Sequence, residues 1–310
     1  MSDISLKTGE KRIALVTGAT GYIGSNLTKR LLAEGWDVHV VVRMNSRLDT
    51  LDAIRPSITV HQHDGSTNNM LRLVRDARPE VVFHLASLFL AQHRPEDVAE
   101  LISSNLLFST QLAEAMAANQ VKHLINTSTS WQHYENAEYN PVNLYAATKQ
   151  AFEDILAYYI EAHGFKVITL SLFDTYGPND PRAKLVSLLW RTAVTQKPLA
   201  MSPGEQLIDL VHIDDVMSAY TIAANTSLIQ ETSHTCYGIS SGRPRRLIDL
   251  VALFERVTKL SLPITFGGRP YRDREVMQSW QDYASLPGWS PRIQLSEGLV
   301  TGKPQNIQSL

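Results

Sequence analysis

Thr17-Gly18-Ala19-Thr20-Gly21-Tyr22-Ile23-Gly24 decides the fold of this chain. Before it lies the apolar run Ile13-Ala14-Leu15-Val16, which reads as a strand buried on both faces. After it, residues 22–34 carry apolar side chains at Ile23, Leu27, Leu31 and Leu32, a helical period that Gly35 closes. A strand that turns through glycines into a helix is the context of dinucleotide binding. Gly18 permits the tight turn, Gly21 lets the backbone approach a pyrophosphate, and Gly24 lets helix and sheet pack closely. The helix N-terminus attracts the phosphates, and Tyr22 and Ile23 join the three glycines as cofactor-binding candidates. A glycine-rich turn with no ligand is the competing reading.

Outward from this unit the pattern repeats. Residues 38–42, 58–60, 81–86, 122–126 and 167–172 read as further strands, and 69–77, 99–118 and 145–163 as helices. Strands alternating with helices at this spacing argue for a Rossmann-type, doubly wound parallel sheet covered on both faces, in the α/β class. We place a dinucleotide-binding domain at 11–175. Beyond it, proline and glycine cluster at Gly177-Pro178, Pro181, Pro198, Pro203-Gly204 and Gly267-Gly268. Helices are expected at 214–224 and 247–259, with short strands around them. Residues 176–300 are read mainly as a smaller substrate-binding lobe, with some segments returning to the first domain, and 301–310 as a polar, frayed tail.

The 310 residues are 44% hydrophobic and 19% charged, which excludes a disordered chain. Twenty-nine basic against 31 acidic side chains give a net charge of −2, so no global basic field exists to hold nucleic acid or anionic lipid. A single cysteine, Cys236, cannot form an internal disulfide and is read as packing. The start, Met1 to Lys11, has no apolar core and so is not a signal peptide. The most apolar stretch, 81–91, is interrupted by His84 and Ser87 and is too short to span a bilayer. A cytoplasmic protein with neither a nucleic-acid nor a membrane partner is expected. His61 and His63 would share a strand face, but no acidic or cysteine partner sits at ligand spacing, so no metal is expected.

Tyr145 and Lys149 stand four apart at the start of a helix and so face one side. A nearby ammonium would lower the phenol's pKa and make Tyr145 a usable proton donor for a carbonyl accepting hydride. At the end of the second strand, Val40-Val41-Val42-Arg43 carries no carboxylate, and Arg43 could meet a ribose 2′-phosphate with charge-assisted hydrogen bonds. The expected cofactor is therefore NADP(H), with NAD(H) as the alternative, and a solvated Arg43 as the bland reading.

The glycine spacing, Phe83-His-Leu-Ala86, Asn105, Leu124-Ile-Asn-Thr-Ser-Thr129, Tyr145-Ala-Ala-Thr-Lys149, Phe173-Asp-Thr-Tyr-Gly-Pro178, Val211-His-Ile-Asp-Asp-Val216 and Gly288-Trp-Ser-Pro291 together resemble the extended short-chain dehydrogenase/reductase family, also called the NAD-dependent epimerase/dehydratase family. The resemblance runs almost the whole length. It implies Thr129, Tyr145 and Lys149 as the catalytic set, with Thr129 hydrogen-bonding the substrate oxygen. It adds Asp64, Gly65, Leu85, Ala86, Ser87 and Thr127, together with Tyr145 and Lys149, to the cofactor contacts.

Dehydratases of the family follow the catalytic threonine with Asp-Glu; here Ser130-Trp131 stand there, so dehydration is not expected. The stretch Gly204-Glu-Gln206 with Asp209 resembles a substrate-binding motif of the family, with Ile208 in its arginine position. Arg272, three residues before Glu275, matches an arginine that grips the diphosphate in relatives. Arg182 and Lys184 follow the Tyr-Gly-Pro turn, and Asp174 replaces an asparagine. Thr129, Asp174, Arg182 and Arg272 are the substrate-binding candidates.

The layout, including Tyr271-Arg-Asp-Arg-Glu-Val-Met277 and the 16 residues from Thr129 to Tyr145, resembles the branch of CDP-abequose and CDP-paratose synthases. That implies NADPH-dependent reduction of the C4 ketone of a nucleotide-diphosphate 4-keto-6-deoxy sugar, in deoxysugar biosynthesis for surface polysaccharide. The alternatives are an NAD-retaining nucleotide-sugar 4-epimerase and a non-catalytic NADP(H)-binding regulator. Family members commonly dimerise through the two long helices, and apolar faces at Leu101, Leu112 and Met116 and at Phe152, Ile155 and Tyr159 suggest a homodimer here.

Overall fold

The computed structural model describes residues 11–303. The expectations for the amino terminus and for the tail past residue 303 lie outside the described residues. Seven parallel strands form the main sheet: β1 Ile13–Thr17, β2 Asp37–Arg43, β3 Ile58–His63, β4 Val81–His84, β5 His123–Thr129, β6 Lys166–Leu172 and β7 His234–Ile239. Their spatial order is β7-β6-β5-β4-β1-β2-β3. Ala14 of β1 stands between Val38 of β2 and Val81 of β4, so the chain leaves the centre in one direction and returns to fill the other. That reversal opens a crevice at the C-terminal ends of β1 and β4, the place where such sheets bind ligands.

Helices α1 (Tyr22–Ala33), α2 (Thr67–Ala77), α3 (98–118) and α4 (Leu144–His163) cover the sheet. Tyr22, Leu27 and Leu31 pack on one face with Val16, Val40 and Phe83; Leu112, Met116, Phe152 and Leu156 pack on the other with Leu15, Val82 and Leu124. The apolar runs of β1 and β4 are buried on both sides for this reason, and truncating Leu15 to alanine would cost about 2–5 kcal/mol. α4 starts at Asn143, whose side chain accepts from Ala146 N at 2.9 Å, and stops at Gly164 in the left-handed region.

α3 differs from the plain helix expected at 99–118: Ser103–Leu107 is a π-helical turn. The apolar faces expected at a subunit contact also need correction. Leu101, Leu112, Met116, Phe152 and Tyr159 are buried inside this chain, because the period that makes α3 and α4 amphipathic is used against their own sheet. The large apolar residues these helices expose are Val98, Ile102, Leu107 and Tyr158.

The second half contributes α5 (Leu185–Thr195), α6 (Ile213–Ser227), α7 (Leu247–Thr258) and α8 (Leu295–Thr301). Val216 and Tyr220 of α6 lie in the core beside Ile168 and Leu170, so α6 and β7 complete the main sheet. α5, α7 and α8 surround a separate core with Trp190 edge-on to Phe254. Two motifs of the family resemblance meet here: Asp215 accepts from Arg292 N and Ile293 N, and Trp289 donates to Asp215 O. Among the described residues no helix is long and apolar enough to cross a membrane.

Candidate active site

The glycine turn fits against β4 through its backbone. Gly18 has φ +72°, and a Cβ there would lie 2.7 Å from Ala86 N and 2.8 Å from Leu85 C. A Cβ on Gly24 would strike Gly18 O, so helix and turn touch without side chains. Gly21 is the N-cap of α1 and no side chain caps that helix, which leaves its first-turn N–H groups directed at the crevice.

Thr17 Oγ1 accepts from Leu85 N and Ala86 N, each at 3.2 Å, and therefore donates to His84 Nδ1 at 2.8 Å. His84 Nε2 then donates to Ser109 Oγ at 2.8 Å. Burial brings the His84 pKa down to about 3, so this neutral imidazole is a fixed brace between β1, β4 and α3. From the π turn of α3, Asn105 accepts from Leu88 N and donates to Leu88 O and Thr148 Oγ1. It thereby holds the loop after β4, with Leu85, Ala86 and Ser87, against α4.

The remaining cofactor candidates lie along the same edge of the sheet. Arg43 ends β2, exposed, in register with His63 of β3. Asp64 and Gly65 follow β3; Asp64 accepts from Ser66 N, and Gly65 O accepts from Gln111. Thr127 shares a 2.7 Å hydrogen bond with Tyr220, a buried contact on the α6 side of the sheet. His61 and His63 find ordinary partners: His39 at 2.8 Å for the first and Asn69 at 3.0 Å for the second.

At the start of α4, Tyr145 packs edge-on to Phe89, with ring centroids 5.0 Å apart. The acidified phenol expected from the sequence is not found. Burial pushes Tyr145 up to about 12, and the opposing influences are a hydrogen bond with Ser87 and the charge of Arg182. One turn on, Lys149 is buried and its ammonium is brought down to about 8, with Glu153 pulling the other way. Thr129 ends β5, and its hydroxyl accepts from Trp131 N at 3.3 Å.

Beyond these three residues a cleft opens between the sheet and the second lobe, lined by Ser130, Trp131, Asp174, Gln206, Ile208 and Arg272. Trp131 tilts on Phe89 at 5.5 Å, and the Arg272 guanidinium lies 5.3 Å from the Trp131 ring centroid. Arg272 pairs with Glu275 at 2.7 Å, while Lys184 reaches Asp174 at 3.5 Å and sits over Phe89. Arg182 is placed differently from a free ligand hand: it grips Asp180 at 2.7 Å, donates to Thr175 O and lies against the Tyr22 ring. It braces the cleft wall to the glycine turn. Ile208 stands opposite Arg245 on a neighbouring short strand.

The aromatic wall of Phe89 and the group Ser128, Gln132 and Glu153 beneath Thr129 escaped the sequence reading. Only the position of Glu153, four residues past Lys149 on the same helix face, offered a signal.

The profile described as "NAD dependent epimerase/dehydratase family" matches residues 14–233. The chain is 24% identical over 288 residues to CDP-abequose synthase of Salmonella muenchen, covering 92% of this chain and 94% of that protein. The UDP-glucose 4-epimerase of Thermotoga maritima, solved with UDP-glucose, superposes with a TM-score of 0.83 at 25% identity, over 96% of this chain and 97% of that one. The UDP-glucose 4-epimerase of Stenotrophomonas maltophila, solved with NAD and formylated UDP-arabinopyranose, gives 0.84 at 22% identity over 94% and 97%.

Proposed function

Because the chain belongs to the NAD dependent epimerase/dehydratase family, we propose that it is a nucleotide-sugar enzyme, and within that class a 4-ketoreductase. Its substrate would be a nucleotide-diphosphate 4-keto-6-deoxy sugar and its reductant NADPH. What supports this reading is that Ser130 and Trp131, neither of them an acid, line the cleft directly after Thr129, with Tyr145 nearby as a phenol that burial keeps in its acid form. A phenol held in its acid form is the starting state for ketone reduction, in which a proton is given to the developing alkoxide. The likeness to CDP-abequose synthase along 92% of the chain supports the same branch.

The glycine turn, the uncapped start of α1, Arg43 and the loop after β4 would hold the nicotinamide cofactor, which supplies hydride when bound. Structural neighbours bind NAD, which supports a nicotinamide dinucleotide; Arg43 is the reason to favour its 2′-phosphate form. Thr129 would orient the substrate carbonyl, Tyr145 would protonate it, and Lys149 would keep positive charge beside that step. Arg272 and Lys184 supply the positive charge a diphosphate needs, with Trp131 and Phe89 as an apolar wall next to the phenol.

A panel of 4-keto sugar nucleotides incubated with NADPH, followed by loss of the reduced-nicotinamide absorbance, tests the proposal. Stoichiometric cofactor oxidation with a 4-keto-6-deoxy substrate is expected. The second reading, a 4-epimerase that retains NAD, is favoured by the superposition on the Thermotoga maritima epimerase. It requires interconversion of two sugar nucleotides with no net oxidation of added cofactor. We further propose a twofold dimer through the exposed Val98, Ile102, Leu107 and Tyr158 of α3 and α4, which sedimentation at micromolar concentration would detect.

A further inference from the structure

Glu153 lies one turn past Lys149, as Lys149 lies one turn past Tyr145, so the three side chains follow one stripe of α4. Its carboxylate leaves the helix for the strand. Glu153 Oε1 accepts from Ser128 Oγ at 2.5 Å and from Gln132 Nε2 at 3.1 Å. Ser128 precedes Thr129 on β5 and its hydroxyl also meets Gln132 Oε1. Gln132 is buried and turns back on the strand end: its Oε1 accepts from Thr129 N at 3.4 Å, and its Nε2 donates to Gln150 Oε1 at 2.9 Å. Thr129 and Gln132 thus cap the short turn between them, and Glu153 and Gln150 anchor that turn to the helix.

We infer that Glu153 is a positioning residue that joins the strand end bearing Thr129 to the helix bearing Tyr145 and Lys149, and sets the charge environment of Lys149. This rests on the reading of Thr129, Tyr145 and Lys149 as the reacting group's contacts. Ser128 and Gln132 are neutral, and Gln150 reaches Gln132 alone; among the described residues the Glu153 carboxylate is the group of α4 that ties both Ser128 and Gln132 to the helix. The charged and titratable groups facing this carboxylate are Lys149 on its own helix, His133 after β5 and Cys236 on β7; Lys149 in turn faces neutral His84. Burial raises the Glu153 pKa and lowers that of Lys149, and each opposes the shift of the other.

The sign of the effect follows. With Glu153 ionised, Lys149 keeps its proton to higher pH. Glu153→Gln preserves both acceptor contacts at the side-chain oxygen but removes the charge, so Lys149 should lose its proton earlier. Glu153→Ala removes the tie as well.

The test uses the full chain in three variants, Tyr145→Phe, Glu153→Gln and Glu153→Ala. The rate of Lys149 acetylation by acetic anhydride against pH, followed by mass spectrometry without cofactor, reads the lysine directly. In Glu153→Gln its midpoint should fall by about 0.5 to 1 pH unit. With CDP-4-keto-6-deoxyglucose and NADPH as probes, the alkaline limb of the kcat profile should move down with it. Glu153→Ala should lose about 10- to 100-fold in kcat with KM within about twofold, the signature of a displaced catalytic group. If Glu153→Ala fails to fold, Glu153→Gln decides by itself. An unchanged lysine midpoint in Glu153→Gln, or wild-type kcat in folded Glu153→Ala, overturns the inference. Retained turnover in Tyr145→Phe overturns the catalytic reading instead, and the acetylation midpoint then decides for or against Glu153.

Discussion

Where Gly18 meets Leu85 and Ala86 the contact is backbone against backbone; where Trp131 meets Phe89 and Arg272 it is side chain against side chain. The first kind has no rotamer with which to yield. A methyl group at Gly18 would press on a strand end that is itself held by Thr17 and His84. The second kind can be rebuilt from many residue combinations, as the two cations over the wall illustrate: Lys184 is paired to Asp174 and Arg272 to Glu275, each by its own local acid. Under the proposed function, a cofactor end fixed by main-chain geometry would stand beside a substrate end fixed by exchangeable side chains, which would let one fold accept different sugars.

The contrast is sharpest at the boundary between the two ends, where Tyr145 stands. Tyr145→Phe should lower turnover by about 100-fold or more, the low end for a lost general acid, while the melting temperature stays near wild type. Near-normal turnover would remove the phenol from the mechanism. On the cofactor side, Gly18→Ala should cost about 1–3 kcal/mol, from the left-handed conformation and the contact with Ala86 N together. Calorimetry and a dinucleotide titration would measure it, and an unaffected protein would mean that this turn yields as side chains do.

Arg43→Ala tests a proposed cofactor contact that is made by a side chain rather than by the main chain. NADPH should bind about 1.5–3 kcal/mol less tightly than to wild type, roughly ten- to a hundredfold, with NADH nearly unaffected. Equal binding of both dinucleotides by the wild-type protein would leave Arg43 solvated and shift weight to the NAD-retaining reading. The smallest effect is a pH response of opposite sign in activity and stability. Lys149 has a folded pKa near 8, below its ordinary value of 10.5. Above pH 8 the folded protein sheds a proton that the unfolded chain still holds. Stability from this group therefore rises with pH, by at most about 1.4 kcal/mol per unit, while turnover falls as the ammonium is lost. A Lys149→Met variant should show neither trend; a wild-type protein whose turnover stays level from pH 7 to 10 would detach Lys149 from the reaction.

The cofactor half was legible because its signals are local. Ile13 to Val16, the three glycines and the period of α1 occupy one continuous stretch, and each constrains the backbone directly. Tyr145 and Lys149 could be paired from their spacing alone, since a helix dictates it. α5 was missed because it follows a Pro/Gly-rich stretch and lacks a side-chain cap at Lys184. β7 has only its last two residues buried, so its edge position hid it from a search for apolar runs. The raised pKa of Tyr145 and the roles of Phe89, Gln132 and Glu153 depend on residues brought together from distant parts of the chain, which periodicity does not report.

The placement of β7 bears on how the protein can be made. β6 ends at Leu172, yet the strand that pairs with its outer edge, Val167 to Leu172 against His234 to Ile239, is synthesised more than sixty residues later. Until α6 and β7 have left the ribosome, the nascent chain carries an open sheet edge and an uncovered apolar face at Ile168 and Leu170. A fragment ending at residue 175 would hold every glycine of the turn and both Tyr145 and Lys149, and would still present that sticky edge to its neighbours. A fragment ending at residue 175 is therefore expected to aggregate rather than fold, and truncations meant to isolate the first half should extend through Ile239.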